Sequence, residues 1–161
     1  MKRILFVCHG NICRSVMAEM VLRHLAEETG RASDFMIDSC ATSTEEIGND
    51  IYPPAKRCLS SHGIPITSHS ARQITLADYD RFDEIYLMDR SNFRTLRWTL
   101  PASLLDADAA LPQPKIRLLM ELCGSSREVA DPWYTGNFSS TWDDCLEGCQ
   151  ALFLRFGHGN G

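Results

Sequence analysis

An α/β fold on a parallel sheet is what this sequence predicts, and three observations carry the prediction. Ile4-Leu5-Phe6-Val7-Cys8 is continuously apolar and short, as in a strand covered on both faces. From Val16 the apolar residues Ala18, Val21, Leu22 and Leu25 recur at helical spacing, with Glu19, Arg23, Glu27 and Glu28 between them. Short apolar strands and helical patterns go on alternating along the chain, which implies right-handed crossovers within one sheet.

The elements follow in order. The first strand ends at Cys8, and the first helix opens with Ser15 in the position of an N-cap and stops at Thr29-Gly30. Phe35 to Cys40 alternates as a second strand, ending in Ser39-Cys40-Ala41-Thr42. Thr44 to Tyr52 is a polar surface loop. Pro53 to Leu59 starts with prolines, reads as a helix and ends near His62-Gly63. Glu84 to Met88 is a third strand, closed by Asp89-Arg90-Ser91-Asn92 and followed by a helix from Ser91 to Trp98. Residues 99–114 carry Pro101, Pro112 and Pro114 and read as irregular, with Leu104-Leu105 able to pack. Ile116 to Leu122 is a fourth strand, or a helical run. Asp131-Pro132-Trp133-Tyr134-Thr135-Gly136 is a loop on composition. Trp142, Cys145, Leu146, Cys149, Leu152, Phe153 and Phe156 form one stripe on a last helix, with Asp143 and Asp144 in its first turn.

The turn from Cys8 to Arg14 carries the chemistry. In a parallel sheet, ligands bind beyond the carboxyl ends of strands, where Cys8 stands. The helix that follows leaves backbone N–H groups unpaired and presents partial positive charge, and successive N–H groups make a concave anion nest. Gly10 and Asn11 both tolerate positive φ, which a loop folded round an oxyanion needs. Arg14 offers a planar fork to two phosphate oxygens. The same positive field is expected to make Cys8 a thiolate nucleophile near neutral pH. A second Cys-x5-Arg, Cys149 to Arg155, lies inside a helical pattern without Gly or Asn and carries no such context.

Length and composition set the frame. The 161 residues suit one domain, expected over residues 1–157 with a short tail over 158–161. The net charge is −5, and the 13 Arg and 3 Lys are scattered, so neither a nucleic-acid surface nor a polybasic membrane surface is expected. No segment approaches a membrane span or a signal peptide. Seven cysteines without a secretion signal read as reduced thiols, and the expected compartment is the cytoplasm.

A thiolate displacing a phosphate ester leaves an oxygen that must be protonated. Asp131 is the candidate acid, stiffened by Pro132, while Trp133 and Tyr134 are placed to line a slot for a phenyl ring.

With these residues assembled, the chain resembles the low-molecular-weight protein tyrosine phosphatases over nearly its whole length. Cys8-His9-Gly10-Asn11-Ile12-Cys13-Arg14-Ser15 matches the family's Cys-x-Gly-Asn-Ile-Cys-Arg-Ser. His69-Ser70-Ala71-Arg72-Gln73-Ile74-Thr75 and Met88-Asp89-Arg90-Ser91-Asn92 look like two further blocks, and Asp131-Pro132-Trp133-Tyr134 is similar to the family's acid loop. The resemblance implies a four-stranded parallel sheet flanked by helices on both faces. It implies a phosphocysteine intermediate on Cys8, phosphate clamping by Arg14, and Asp131 as acid and then base. It also implies that Asn11, Ser15, Ser39 and His69 form a network holding the loop, with Ser15 bonding the thiolate. It suggests a reversible Cys8–Cys13 disulfide, and Tyr134 as a phosphorylation site. No metal or cofactor is required. The implied partners are phosphotyrosine proteins, a cognate tyrosine kinase among them, and the chain is expected as a monomer or weak dimer.

Two departures stand out. Val16 replaces the family's usual Pro. Glu45-Glu46 replaces an aromatic and a His or Asn beside the slot, which leaves Trp133 and Tyr134 to hold the ring and disfavours acidic phosphopeptides. Competing readings fare worse. Arsenate reductases of this fold need two more cysteines near the third strand, and residues 75–100 contain none. Protein arginine phosphatases carry Thr in place of Ile12 and smaller residues after Asp-Pro, so Ile12, Trp133 and Tyr134 favour an aryl group. A zinc module on Cys8, Cys13, Cys145 and Cys149 leaves Gly10-Asn11 without purpose and sets Arg14 against a cation. A phosphate-binding domain without catalysis leaves the Cys8, Arg14 and Asp131 set unused.

Overall fold

The computed structural model describes residues 1–157. The expected tail over 158–161 lies outside the described residues. Four strands, β1 (Lys2–Cys8), β2 (Phe35–Ala41), β3 (Glu84–Leu87) and β4 (Ile116–Leu118), form one sheet in the order β2-β1-β3-β4. Every pairing is parallel. The helices are α1 (Arg14–Glu28), α2 (Pro53–Ser61), α3 (Leu76–Arg81), α4 (Arg90–Thr95), α5 (Ala102–Ala109), α6 (Pro132–Thr135) and α7 (Phe138–Arg155).

The unbroken apolar run of β1 divides by the pleat. Ile4, Phe6 and Cys8 join a core beneath α1 and α7 with Met17, Val21, Tyr86, Cys145 and Leu152. Leu5 and Val7 join a second core on the opposite face with Ile85, Leu87, Leu96, Leu100 and Ile116. Covering a two-faced strand requires helices on both sides of the sheet. The same pleat turns Cys8 toward α1, the helix that starts immediately after it.

Several expectations need correction. Cys13, not Ser15, is the N-cap residue of α1, and Ser15 lies in its first turn, where its hydroxyl is free for other partners. Of Gly10 and Asn11, only Asn11 takes positive φ, at 62°. The region 99–114 contains α5, whose Leu105 packs against the second core. The segment 76–81, unassigned from the pattern, is α3, started by a capping box between Thr75 and Asp78. Residues 116–122 divide into β4 and a 3-10 turn, Leu119–Cys123, stopped by Gly124 at φ 69°. The helix expected over 91–98 is α4, extended by a 3-10 turn, Leu96–Trp98. The loop after Asp131 contains the single turn α6. The Asn137 side chain caps α7 by accepting from Ser140 N–H at 2.9 Å, so Asp143 and Asp144 fall in the second turn rather than the first.

Candidate active site

β1 ends where its neighbour's chain also turns, so the carboxyl ends of β1 and β3 bring residues 8–14 and Asp89 together across 75 residues of sequence. A pocket of about 160 Å³ opens here. It is lined by residues 8–14, Glu45, Glu46, Asp131, Trp133 and Tyr134. The structure thus gathers His9, Gly10, Asn11, Ile12, Cys13, Arg14 and the loop carrying Asp131, Trp133 and Tyr134 around Cys8. The backbone N–H groups of Gly10, Ile12 and Cys13 donate to no protein atom among the described residues, which leaves them for an anion.

Ser15 stands behind this lining, fully buried. Its Oγ lies 3.0 Å from Cys8 Sγ, and the Asn11 backbone N–H points at the same sulfur at 3.3 Å. The direction of each proton follows from donor arithmetic. The Asn11 side-chain amide donates to the hydroxyls of Ser15 and Ser39, both at 2.9 Å. Ser15 accepts from Asn11 and is in hydrogen-bond contact with Cys8 Sγ, to which its hydroxyl can donate once the sulfur is a thiolate, and Ser39 donates to Glu19 Oε1 at 2.6 Å. Asn11 Oδ1 accepts from the Arg72 backbone N–H at 3.3 Å, and the Asn11 carbonyl accepts from His69 Nε2 at 2.7 Å, so that nitrogen carries the proton. Every polar group of a strained, fully buried Asn11 is therefore occupied.

Arg14 is 2 % exposed. Its Nη1 donates to Asp89 Oδ2 at 2.6 Å and to the Val129 carbonyl at 3.0 Å. Its Nη2 reaches Asp131 Oδ2 at 3.5 Å, while Nε has no protein partner among the described residues. The Nε–Nη2 edge, the bidentate edge of a guanidinium, is thus left for a ligand. Burial works against the charge on Arg14, but Cys8, Asp89 and Asp131 outweigh it and raise its pKa, so the cation is permanent. Burial likewise works against the Asp89 carboxylate, and the bonds from Arg14 and Ser91 overcome it and hold its pKa low. The buried Cys13 thiol is pushed up, by desolvation first and by Cys8 second.

Asp131 caps α6. Its Oδ1 accepts from Trp133 N–H at 3.0 Å, and its Oδ2 faces Arg14 across the pocket. The Trp133 ring leans on Tyr52, with centroids 4.7 Å apart, and Tyr134 is almost wholly exposed. Glu45 does line the pocket, and its carboxylate pairs with His9 Nε2. Among the described residues no group of three His, Cys, Asp or Glu side chains is arranged to hold a metal. Cys145 and Cys149 instead donate to the carbonyls of Arg14 and Ala18 within the core.

Glu19, Arg72, Asp89 and the Val129 carbonyl escaped the sequence reading of the site. Arg72 and Asp89 left a signal, each lying in a block that resembles the family. Asp89 also follows a strand paired with β1, as the loop after Cys8 follows β1 itself.

Residues 3–158 match the model of the family described as low molecular weight phosphotyrosine protein phosphatase. The chain belongs to this family. It is 38 % identical over 160 residues to the human low molecular weight phosphotyrosine protein phosphatase, covering 98 % of this chain and 96 % of the relative. The crystal structure of YfkJ from Bacillus subtilis superposes with a TM-score of 0.86 at 34 % identity, over 97 % of this chain and 94 % of that one. A Drosophila arginine phosphatase superposes with a TM-score of 0.80 at 30 % identity, over 99 % of this chain and 100 % of that one. The chain is accordingly a cysteine-dependent protein-tyrosine phosphatase, with phosphoproteins as substrates. No helix among the described residues is long and apolar enough to cross a membrane.

Proposed function

We propose that Cys8, Arg14 and Asp131 hydrolyse phosphotyrosine in two steps. Cys8 thiolate attacks phosphorus as the bond from phosphorus to the tyrosine oxygen breaks, and Asp131 delivers its proton to that oxygen. Asp131 Oδ1 is committed to capping α6, so Oδ2 is the oxygen that carries the proton. Water then attacks the phosphocysteine, Asp131 takes its proton, and the P–S bond breaks to release inorganic phosphate and the Cys8 thiolate. The Ser15 hydroxyl stabilises sulfur as it leaves. The Nε–Nη2 edge of Arg14 and the free loop N–H groups hold the equatorial oxygens. The observation that carries this assignment is the buried contact of Cys8 Sγ with Ser15 Oγ, itself held by Asn11, at the foot of a pocket that Arg14 and Asp131 also line.

Hydrolysis of p-nitrophenyl phosphate with EDTA and reductant present tests it. Cys8→Ser is expected to be inactive, and Asp131→Ala to lose about 10² to 10⁴ in kcat. An active Cys8→Ser would overturn the nucleophile, and an unchanged kcat in Asp131→Ala would place the acid elsewhere.

Trp133 beside Tyr52 gives the pocket an aromatic wall that fits an aryl substrate. The cognate tyrosine kinase as substrate, the monomer or weak dimer and the cytoplasmic setting belong to the same proposal. Seven free thiols fit a reducing compartment. Under peroxide, which oxidises Cys8 to a sulfenic acid, the Cys13 thiol on the same loop attacks that sulfur and displaces its oxygen as water, closing a Cys8–Cys13 disulfide. Peroxide inactivation that dithiothreitol fails to reverse would rule that pairing out.

A further inference from the structure

A second groove of about 440 Å³ adjoins the catalytic pocket, lined by His9, Ser43, Thr44, Glu45, Gln73 and Trp98. His9 and Glu45 line both cavities, so the pair forms the wall between them. A chain that places a phosphotyrosine in the first cavity must cross this wall or run beside it.

The chemistry of the groove is specific. Trp98 closes the 3-10 turn after α4 and is 60 % exposed, belonging to neither core. Its ring lies 6.2 Å from the His9 imidazole in an edge-on arrangement, so an indole surface is presented to the groove at small cost to the fold. Glu45 brings a carboxylate whose side chain is 64 % exposed; its Oε2 pairs with His9 Nε2, and its Oε1 is the oxygen left for the groove. Gln73 donates its amide N–H to the Thr42 carbonyl at 2.9 Å, which fixes the amide and leaves its Oε1 as an acceptor. Arg97, the cation next in sequence to Trp98, faces Asp106 instead. An exposed aromatic, a carboxylate and a free carbonyl oxygen around one cavity suit a planar cation, which stacks on indole and donates to both oxygens.

We propose that this groove receives an arginine side chain close in sequence to the phosphotyrosine of the substrate, and so sets a preference for basic phosphopeptides. The proposal rests on the phosphatase reading of the neighbouring pocket and adds a specificity determinant to it. Trp98 and Gln73 are the recognition residues, and Glu45 is shared with the catalytic pocket. Lysine fits less well, because its ammonium cannot stack while donating to two oxygens at once.

The test is kcat/KM on phosphotyrosine peptides carrying Arg, Lys, Ala or Glu in turn at each of the two positions either side of the phosphotyrosine. In the wild-type chain Arg is expected to exceed Ala by roughly five- to tenfold at one of these positions, with Lys between them and Glu below Ala. Trp98→Ala and Glu45→Gln are each expected to shrink the advantage to about twofold, and Trp98→Phe to keep most of it. Hydrolysis of p-nitrophenyl phosphate by Trp98→Ala is expected to match wild type, since that substrate has nothing to place in the groove. Equal rates for Arg and Ala peptides at all four positions would overturn the proposal. So would an Arg preference that survives undiminished in both Trp98→Ala and Glu45→Gln.

Discussion

The loop over residues 8–15 and the loop that starts at Asp131 face each other across one pocket, and they are built on opposite plans. In the first, Asn11 and Ser15 are fully buried and Arg14 is 2 % exposed. Their partners come from α1, β2, the segment before α3 and the turn after β3. In the second, Trp133 is 53 % and Tyr134 83 % exposed, and Asp131 reaches the rest of the site through one 3.5 Å contact, at the outer edge of hydrogen bonding. On the mechanism proposed above, the contrast tracks the chemistry asked of each. Phosphate has one shape and one charge, so its cradle gains from being fixed before the ligand arrives. A general acid must follow a leaving oxygen whose position depends on the ring attached, and the walls of the slot must fit different substrates. Rigidity is thus concentrated where the transition state is invariant, and latitude where the substrate varies.

The comparison breaks most visibly at Asn11. Asn11→Ala removes the amide that orients Ser15 and Ser39, leaves the Arg72 N–H without its acceptor, and forces Ala into positive φ. Lost buried hydrogen bonds and the backbone strain together are expected to cost about 2–4 kcal/mol. That corresponds to a fall in Tm of roughly 10 °C, with kcat reduced by about 10². Asn11→Gly separates the two causes. Glycine relieves the φ strain and should recover about 1 kcal/mol of stability, while kcat stays low because the Ser15 proton is no longer aimed at sulfur. Thermal melts and p-nitrophenyl phosphate kinetics on both variants check this. A kcat that recovers in Asn11→Gly would mean that backbone shape, not the amide wiring, is what the loop supplies.

The same contrast explains what could be read from the sequence. The continuous apolar strand, the Gly-Asn turn, the following helix and the stripe on α7 are local patterns, and the structure keeps each of them. Three strands and a fourth that could also be a helical run were legible as patterns, and the resemblance implied that the sheet has four. Two short helices left little trace. α3 is one and a half turns with only a capping box as a signal. α5 gives Leu105 to the second core, but most of its ties run through Asp108, which accepts from Tyr79 and from the backbone of Lys115 and Ile116, and hydrophobic periodicity passes over that polar role. At the site, Cys8, Arg14 and their loop are contiguous and legible. Glu19 and the Val129 carbonyl are not, and Asp89 shows only as part of a block after a strand, because their roles exist only once segments distant in sequence lie side by side.

A smaller effect, expected on the exposed side, sharpens the comparison. Trp133 buries little in the fold and touches Tyr52 at the mouth of the pocket, so Trp133→Ala should change stability by less than about 1 kcal/mol. Its cost should appear in substrate binding instead. Loss of one face of the slot is expected to raise KM for aryl phosphates roughly five- to tenfold, with kcat changed less than about threefold, because Cys8, Arg14 and Asp131 remain in place. Matched kinetics of the wild-type chain on phosphotyrosine and phosphoarginine peptides separate the aryl reading from the arginine phosphatase alternative, because a phenyl ring and a planar guanidino group can both stack on Trp133 and only the relative rates tell them apart. If Trp133→Ala leaves KM for aryl phosphate unchanged, or if the wild-type chain hydrolyses phosphoarginine faster than phosphotyrosine, the slot is not built for a ring, and the exposed loop serves only to carry Asp131.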